Sequence, residues 1–177
     1  MEVDTPPEDI PRDMPWYSRG TYSFNGVAWQ KLSDAARQRR VAPIGYNKIE
    51  IEQPASTAEL PQATDGHALA FVTVTPSNKK ATFSGHGTLW VDITKSGNVW
   101  ISVFRGTTLV GLVAEWFDAG KPRTMSFSFV DIPATHLPIT YTAKIHTDIV
   151  GFLYMNGSSK FNFDGGSQTA FIVAENN

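Results

Sequence analysis

Residues able to do chemistry are few and widely spaced. Four histidines, His67, His86, His136 and His146, fall near strand ends or in turn-rich segments, and none shows the His-x-x-x-His or Asp-x-Asp-x-Asp spacing that gathers metal ligands. No metal site is expected within one chain, although one residue per chain around a three-fold axis would supply three ligands. Ser84-Gly85-His86-Gly87 sets a serine beside a histidine in sequence alone, and its glycines read as a hairpin turn rather than a nucleophile–base pair. Asp164-Gly165-Gly166 reads as a turn rather than a calcium loop. There is no Gly-x-Ser-x-Gly elbow and no P-loop, and the chain has no cysteine for a thiol nucleophile, a thiolate zinc site or a disulfide. Acids such as Asp92 and Asp118 leave glycoside hydrolysis open as a question of geometry, with no motif in its favour. The expectation is a protein without catalysis, cofactor or metal.

The bulk properties fit that expectation. A chain of 177 residues is long enough for one ordinary core plus an appendage. With a net charge of −2 and 18% charged residues, it carries no field that would steer it to nucleic acid or an anionic membrane. The start, MEVDTPPEDIPRDMP, has acids and prolines where a signal peptide needs a basic start and an apolar run. No stretch approaches the ~18 consecutive apolar residues of a membrane span, so a soluble chain without membrane insertion is expected.

Three regions differ in composition. Residues 1–19 hold four of the eleven prolines, Pro6, Pro7, Pro11 and Pro15, and read as an extended or irregular arm ending in Trp16 and Tyr17. Residues 21–24 and 27–32 flank Asn25-Gly26 and read as a β-hairpin closed by a two-residue type I′ turn. Ser33 to Arg40, with a serine cap, two alanines and three arginines, suits a short helix. These make an N-terminal region of residues 1–45. Residues 46–66 read as a connector, within which Lys48-Ile49-Glu50-Ile51-Glu52 alternates as a half-buried strand should.

From residue 67 to 177 nearly everything is strand. Segments 68–75, 81–84, 88–93, 99–105, 108–115, 124–130, 139–146, 149–155 and 169–174 are separated by Gly, Pro, Asn, Asp and Ser. Short strands at regular turn spacing, with no helix to carry parallel crossovers, predict an all-β, antiparallel, jelly-roll-like β-sandwich, preceded by the arm and the small hairpin. In Ser126-Phe127-Ser128-Phe129 the phenylalanines point one way and the serines the other. Trp90, Trp100, Phe104, Trp116 and Tyr154 are more aromatic surface than a thin sandwich core absorbs, so some of them are candidates for a subunit interface.

The stretch Tyr22-Ser23-Phe24-Asn25-Gly26-Val27-Ala28-Trp29-Gln30-Lys31-Leu32 is similar to the Tyr-x-φ-Asn-Gly-x-x-Trp-x-Lys hairpins of bacteriophage tail-fibre and other virion appendage proteins. Residues 97–107, through Gly120-Lys121-Pro122 to Phe127, resemble the strand progression of phage fibre head domains with a jelly-roll or tumour-necrosis-factor-like sandwich. The resemblance implies a homotrimeric virion protein that attaches to other virion proteins of tail or capsid by its N-terminus and displays its sandwich outward. No shaft repeat separates the two parts. An isolated hairpin is marginally stable, so Trp16, Tyr17, Tyr22, Phe24 and Trp29 are the candidate attachment residues, in a segment too small to bury them alone. Three classes follow: a tail appendage binding a host surface receptor, with stacking on a surface glycan as one mode; a capsid decoration or head-fibre protein; and a free carbohydrate-binding module.

Overall fold

The computed structural model describes residues 2–3, 20–24, 29–34, 39–57, 59–157 and 169–176 and, from residue 39 onward, their side chains. The Pro-rich stretch with Trp16 and Tyr17, the Asn25-Gly26 turn, residues 35–38 and Asp164-Gly165-Gly166 lie outside the described residues. Every regular element among the described residues is a strand. The chain forms two compact units, Met1–Arg39 and Arg40–Asn177.

The first unit is a three-stranded sheet of β1 (Glu2–Val3), β2 (Gly20–Phe24) and β3 (Trp29–Asp34), in the order β1-β2-β3. The expected hairpin is present: β2 and β3 pair antiparallel, with Phe24 opposite Trp29. The ladder shifts register between Thr21 and Tyr22. Val3 stands opposite Tyr22, so the hairpin gains its third strand from the start of the chain.

The second unit holds β4 (Arg39–Ile44), β5 (Asn47–Ile51), β6 (His67–Val74), β7 (Thr82–Ile93), β8 (Gly97–Arg105), β9 (Thr108–Phe117), β10 (Arg123–Asp131), β11 (Ile139–Thr147), β12 (Gly151–Met155) and β13 (Thr169–Asn176). β7 pairs with β10 on one side and, on the other, with β13 along its first half and β12 along its second. β4 pairs with β13 and β5 with β12, completing six strands. The other sheet runs β6-β11-β8-β9. If β4/β5 and β12/β13 are each counted as one interrupted strand, the two sheets read 1-8-3-6 and 2-7-4-5, the order of a jelly roll.

Three sequence expectations are corrected here. Ser33 and Asp34 end β3 and Arg39 and Arg40 begin β4, so no helix runs from 33 to 40. The pairing of β4 with β13, some 130 residues away, overrides local helix propensity. The stretch expected as a connector supplies β5 to the six-stranded sheet, so the sandwich draws on residues well before His67. Ser84-Gly85-His86-Gly87 is the middle of β7, not a turn. A Cβ at Gly85 would overlap the ring of Phe129, and one at Gly87 the ring of Phe127. The glycines therefore make room for aromatic rings from the neighbouring strand, which is why they interrupt the hydrophobic pattern without ending the strand.

The core lies between the sheets. Phe83, Leu89, Val91 and Ile93 of β7 join Val99, Ile101 and Val103 of β8 and Tyr141, Ala143 and Ile145 of β11 in one buried cluster. Phe127 and Phe129 are buried and Ser126 and Ser128 exposed, as their alternation predicts. The rings of Phe129 and Tyr141 have centroids 4.7 Å apart, and those of Phe127 and Phe171 are 5.6 Å apart. Asp131 ties the sheets at one end: its Oδ2 accepts from Arg105 Nε at 2.7 Å and from the Tyr141 hydroxyl at 2.8 Å. Burial, then that carboxylate, pushes the Tyr141 hydroxyl well above the ordinary tyrosine range.

Candidate functional site

The two outward faces of the sandwich carry different chemistry. On the six-stranded sheet, β7 presents Ser84, His86, Thr88 and Trp90, standing opposite Val130, Ser128, Ser126 and Thr124 of β10. This ladder mixes short hydroxyl side chains, with Thr88 Oγ1 and Ser126 Oγ 3.0 Å apart, with the exposed Trp90 and Val130. On the four-stranded sheet, β8 presents Trp100, Ser102 and Phe104 opposite His146, Lys144 and Thr142 of β11. Here Ser102, His146 and Phe104 are buried although they point away from the core cluster.

A strap formed by residues 52–66 covers part of that second face. Lys144 Nζ donates to the backbone carbonyls of Ala63 (2.6 Å) and Asp65 (3.1 Å), and Ala55 N donates to Thr147 O at 2.8 Å. The strap's own turn is closed by Asp65 N donating to Gln62 O at 3.0 Å and Gln62 N donating to Asp65 Oδ2 at 3.3 Å. Gly66, at φ 70°, ends the strap so close to His146 that any Cβ would overlap the imidazole. A cavity of about 370 Å³ lies between strap and sheet, its walls including Gln53, Ser56, Thr64 and Asp65 from the strap and His67, His146 and Thr147 from the strands.

The closest serine–histidine pair among the described hydrogen bonds lies here, and it is not the one adjacent in sequence. Ser102 Oγ and His146 Nε2 are 2.7 Å apart, joining β8 to β11. Ser102 is fully buried, so no substrate reaches its oxygen in this conformation. His146 Nδ1 is buried without a hydrogen-bond partner among the described residues. Burial pulls the His146 pKa down to about 4; the Lys144 ammonium adds to the effect and the Asp65 carboxylate opposes it. His67 is lowered for the same two leading reasons, burial and Lys144. No group of three or more His, Cys, Asp or Glu side chains able to hold a metal occurs among the described residues.

The candidate attachment residues Tyr22, Phe24 and Trp29 lie on the paired strands β2 and β3, with Phe24 opposite Trp29; Trp16 and Tyr17 are outside the described residues. Of the surplus aromatics, Trp116 is 56% exposed and Trp90 36%, whereas Phe104 is buried. Sequence reading missed the strap cavity because its walls come from segments some eighty residues apart. The alternation of β8 and β11 could have signalled it, since Ser102 and His146 both fall opposite the core-facing set.

No protein-family model matches the sequence, and no curated protein matches it. Among solved structures, the chain is similar to a carbohydrate-binding module of the CBM4 type (TM-score 0.43, 10% identity, 80% of this chain and 80% of that one). It is also similar to a chain of the infectious bursal disease virus particle (TM-score 0.47, 15% identity), covering 86% of this chain and 38% of that one. A third similarity is to a Clostridium thermocellum xylanase 10B structure holding CBM22-1 and GH10 modules with xylohexaose (TM-score 0.35, 12% identity, 77% of this chain and 26% of that one). The fold assignment rests on the strand order itself.

Proposed function

We propose that this chain is a bacteriophage virion protein, a short tail fibre or appendage whose N-terminal unit attaches to the particle and whose jelly-roll unit is displayed toward the host surface. The observation that carries this reading is the division of the chain into two compact units with separate sheets, a small one of three strands and a full sandwich. A three-stranded sheet of such short strands gains stability by packing on a partner, and the resemblance of its hairpin to those of virion appendages supports the particle as that partner. A binding role rather than a catalytic one is supported by the full burial of Ser102, which closes its hydroxyl to substrate in this conformation. The displayed form is a homotrimer: Phe71 (69% exposed) and Trp116 leave large apolar surfaces that a neighbouring copy would cover.

Cryo-electron microscopy of particles carrying this chain, beside particles in which the chain lacks residues 1–39, tests the proposal. Density at the tail that disappears with the truncation is the expected result. Incorporation of the truncated chain at normal occupancy would overturn N-terminal attachment. The second reading, a capsid decoration protein, draws on the same exposed Phe71 and Trp116, which suit a protein partner as well as another copy. Density over the capsid lattice would establish it in place of the first.

A further inference from the structure

We propose that the cavity beneath the 52–66 strap binds one neutral, hydroxyl-bearing ring of monosaccharide size, the terminal unit of a surface glycan. The inference deepens the display reading above and rests on it for the origin of the sugar.

The cavity has the size of a small-ligand site, about 370 Å³ within the ~300–1,000 Å³ that such pockets occupy. Its roof is built rather than draped, since Lys144 and Thr147 hold the strap at three backbone positions. Its charges are already spent. The Lys144 ammonium is turned to two backbone carbonyls, and the Asp65 carboxylate accepts from Gln62 N and from Thr64 Oγ1. An anion would meet the Asp65 carboxylate, and a cation would lie beside Lys144. What remains suits a neutral ligand: the Gln53 amide both donates and accepts, as a hydroxyl group does, and the Thr64 hydroxyl, its hydrogen given to Asp65, still accepts. Ile51, Pro54 and Ala55 offer an apolar patch for the C–H face of a saturated ring.

A second observation points to a ligand independently. His146 lines this cavity, is 1% exposed and keeps Nδ1 unpartnered, whereas its Nε2 is engaged by Ser102. Buried polar groups are normally paired, and a ring hydroxyl entering beside Gly66 would supply the missing partner. Burial keeps the imidazole neutral over the physiological range, the state in which it exchanges hydrogen bonds with a hydroxyl rather than attracting an anion.

The test is long-range proton–nitrogen NMR of the His67 and His146 rings in the full chain at pH 7, titrated separately with D-glucose, D-galactose and N-acetyl-D-glucosamine. A saturable shift of both rings with at least one sugar is expected. It should vanish in Ala55→Trp, whose indole fills the cavity while keeping the backbone bond to Thr147. Thr64→Val, at an exposed position that does not threaten folding, should weaken binding about fivefold, the loss of roughly one neutral hydrogen bond. The proposal is overturned if no sugar gives a saturable shift, if the shift survives in Ala55→Trp, or if inorganic phosphate produces it equally well. Absence of sugar binding with the chain still found at the tail would remove this site and leave the display reading standing. Sugar binding by a chain found on the capsid lattice would do the reverse.

Discussion

The two outward faces of this sandwich are made of the same alternating β-strand, yet they obey different rules. On the six-stranded sheet the outward positions of β7 and β10 are mostly serine, threonine and histidine, with Trp90 and Val130 exposed among them. On the four-stranded sheet the outward positions of β8 and β11 include Ser102, Phe104 and His146, buried as deeply as core residues. Alternation decides which way a side chain points. What lies on top decides whether that position belongs to the surface, and a strap makes part of this sheet a polar second core, where every donor and acceptor needs a partner.

The comparison can be broken most directly at Phe104. Phe104→Ala should cost about 3–5 kcal/mol of unfolding free energy in urea titrations, as expected for a buried aromatic, while Thr124→Ala on the bare face should stay within about 0.5 kcal/mol. Equal effects would mean that the two faces do not differ. Ser102→Ala should come next, at about 1–3 kcal/mol, because it strips the buried imidazole of its partner; Ser126→Ala, the matched exposed serine, should again be near neutral.

Protonation sharpens the contrast without a mutation. His146 is held at about 4 in the fold against 6.5 when free, so between those values the unfolded chain binds more protons than the folded one. Stability should therefore be constant above pH 6.5 and fall as the pH drops from 6.5 toward 4, with His67 contributing in the same direction. The urea midpoint followed across that window should decline less steeply in His146→Gln. The smallest effect is local. Lys144→Met should release the strap's two carbonyl contacts and speed amide exchange across residues 59–66 measured by mass spectrometry, with the global midpoint nearly unchanged.

Much of the sandwich was legible in the sequence because alternation and turn chemistry act locally. Gly106 and Gly120 adopt the positive φ their turns require, and Ser126 to Phe129 face as their pattern says. The misreadings share a cause: a distant partner changed what a local signal meant. Gly85 and Gly87 look like turn residues until Phe127 and Phe129 lie across them. Ala35 and Ala36 with the arginines look helical, but Arg39 and Arg40 open β4, the strand that neighbours β13. In Asn156-Gly157 the positive φ falls on Asn156, at 51°, rather than on the glycine, and its side chain donates to Ile44 O at 2.6 Å and accepts from Trp90 N at 3.1 Å. The strap cavity was invisible for the same reason, since no spacing in the chain announces that residues 53–56 will meet residues 146–147.

The interrupted eighth strand has a consequence for engineering. Met155 stands opposite Val91 and Phe171 opposite Gly87, so the chain leaves β7 and rejoins it on the same side, with its inward positions still inward: Leu153, Met155, Phe171 and Val173 are all buried. The side-chain alternation of β13 is set by its pairing with β7 and not by the length of chain that joins it to β12. An epitope or affinity tag grafted between β12 and β13 should therefore leave both faces of the jelly roll as they are.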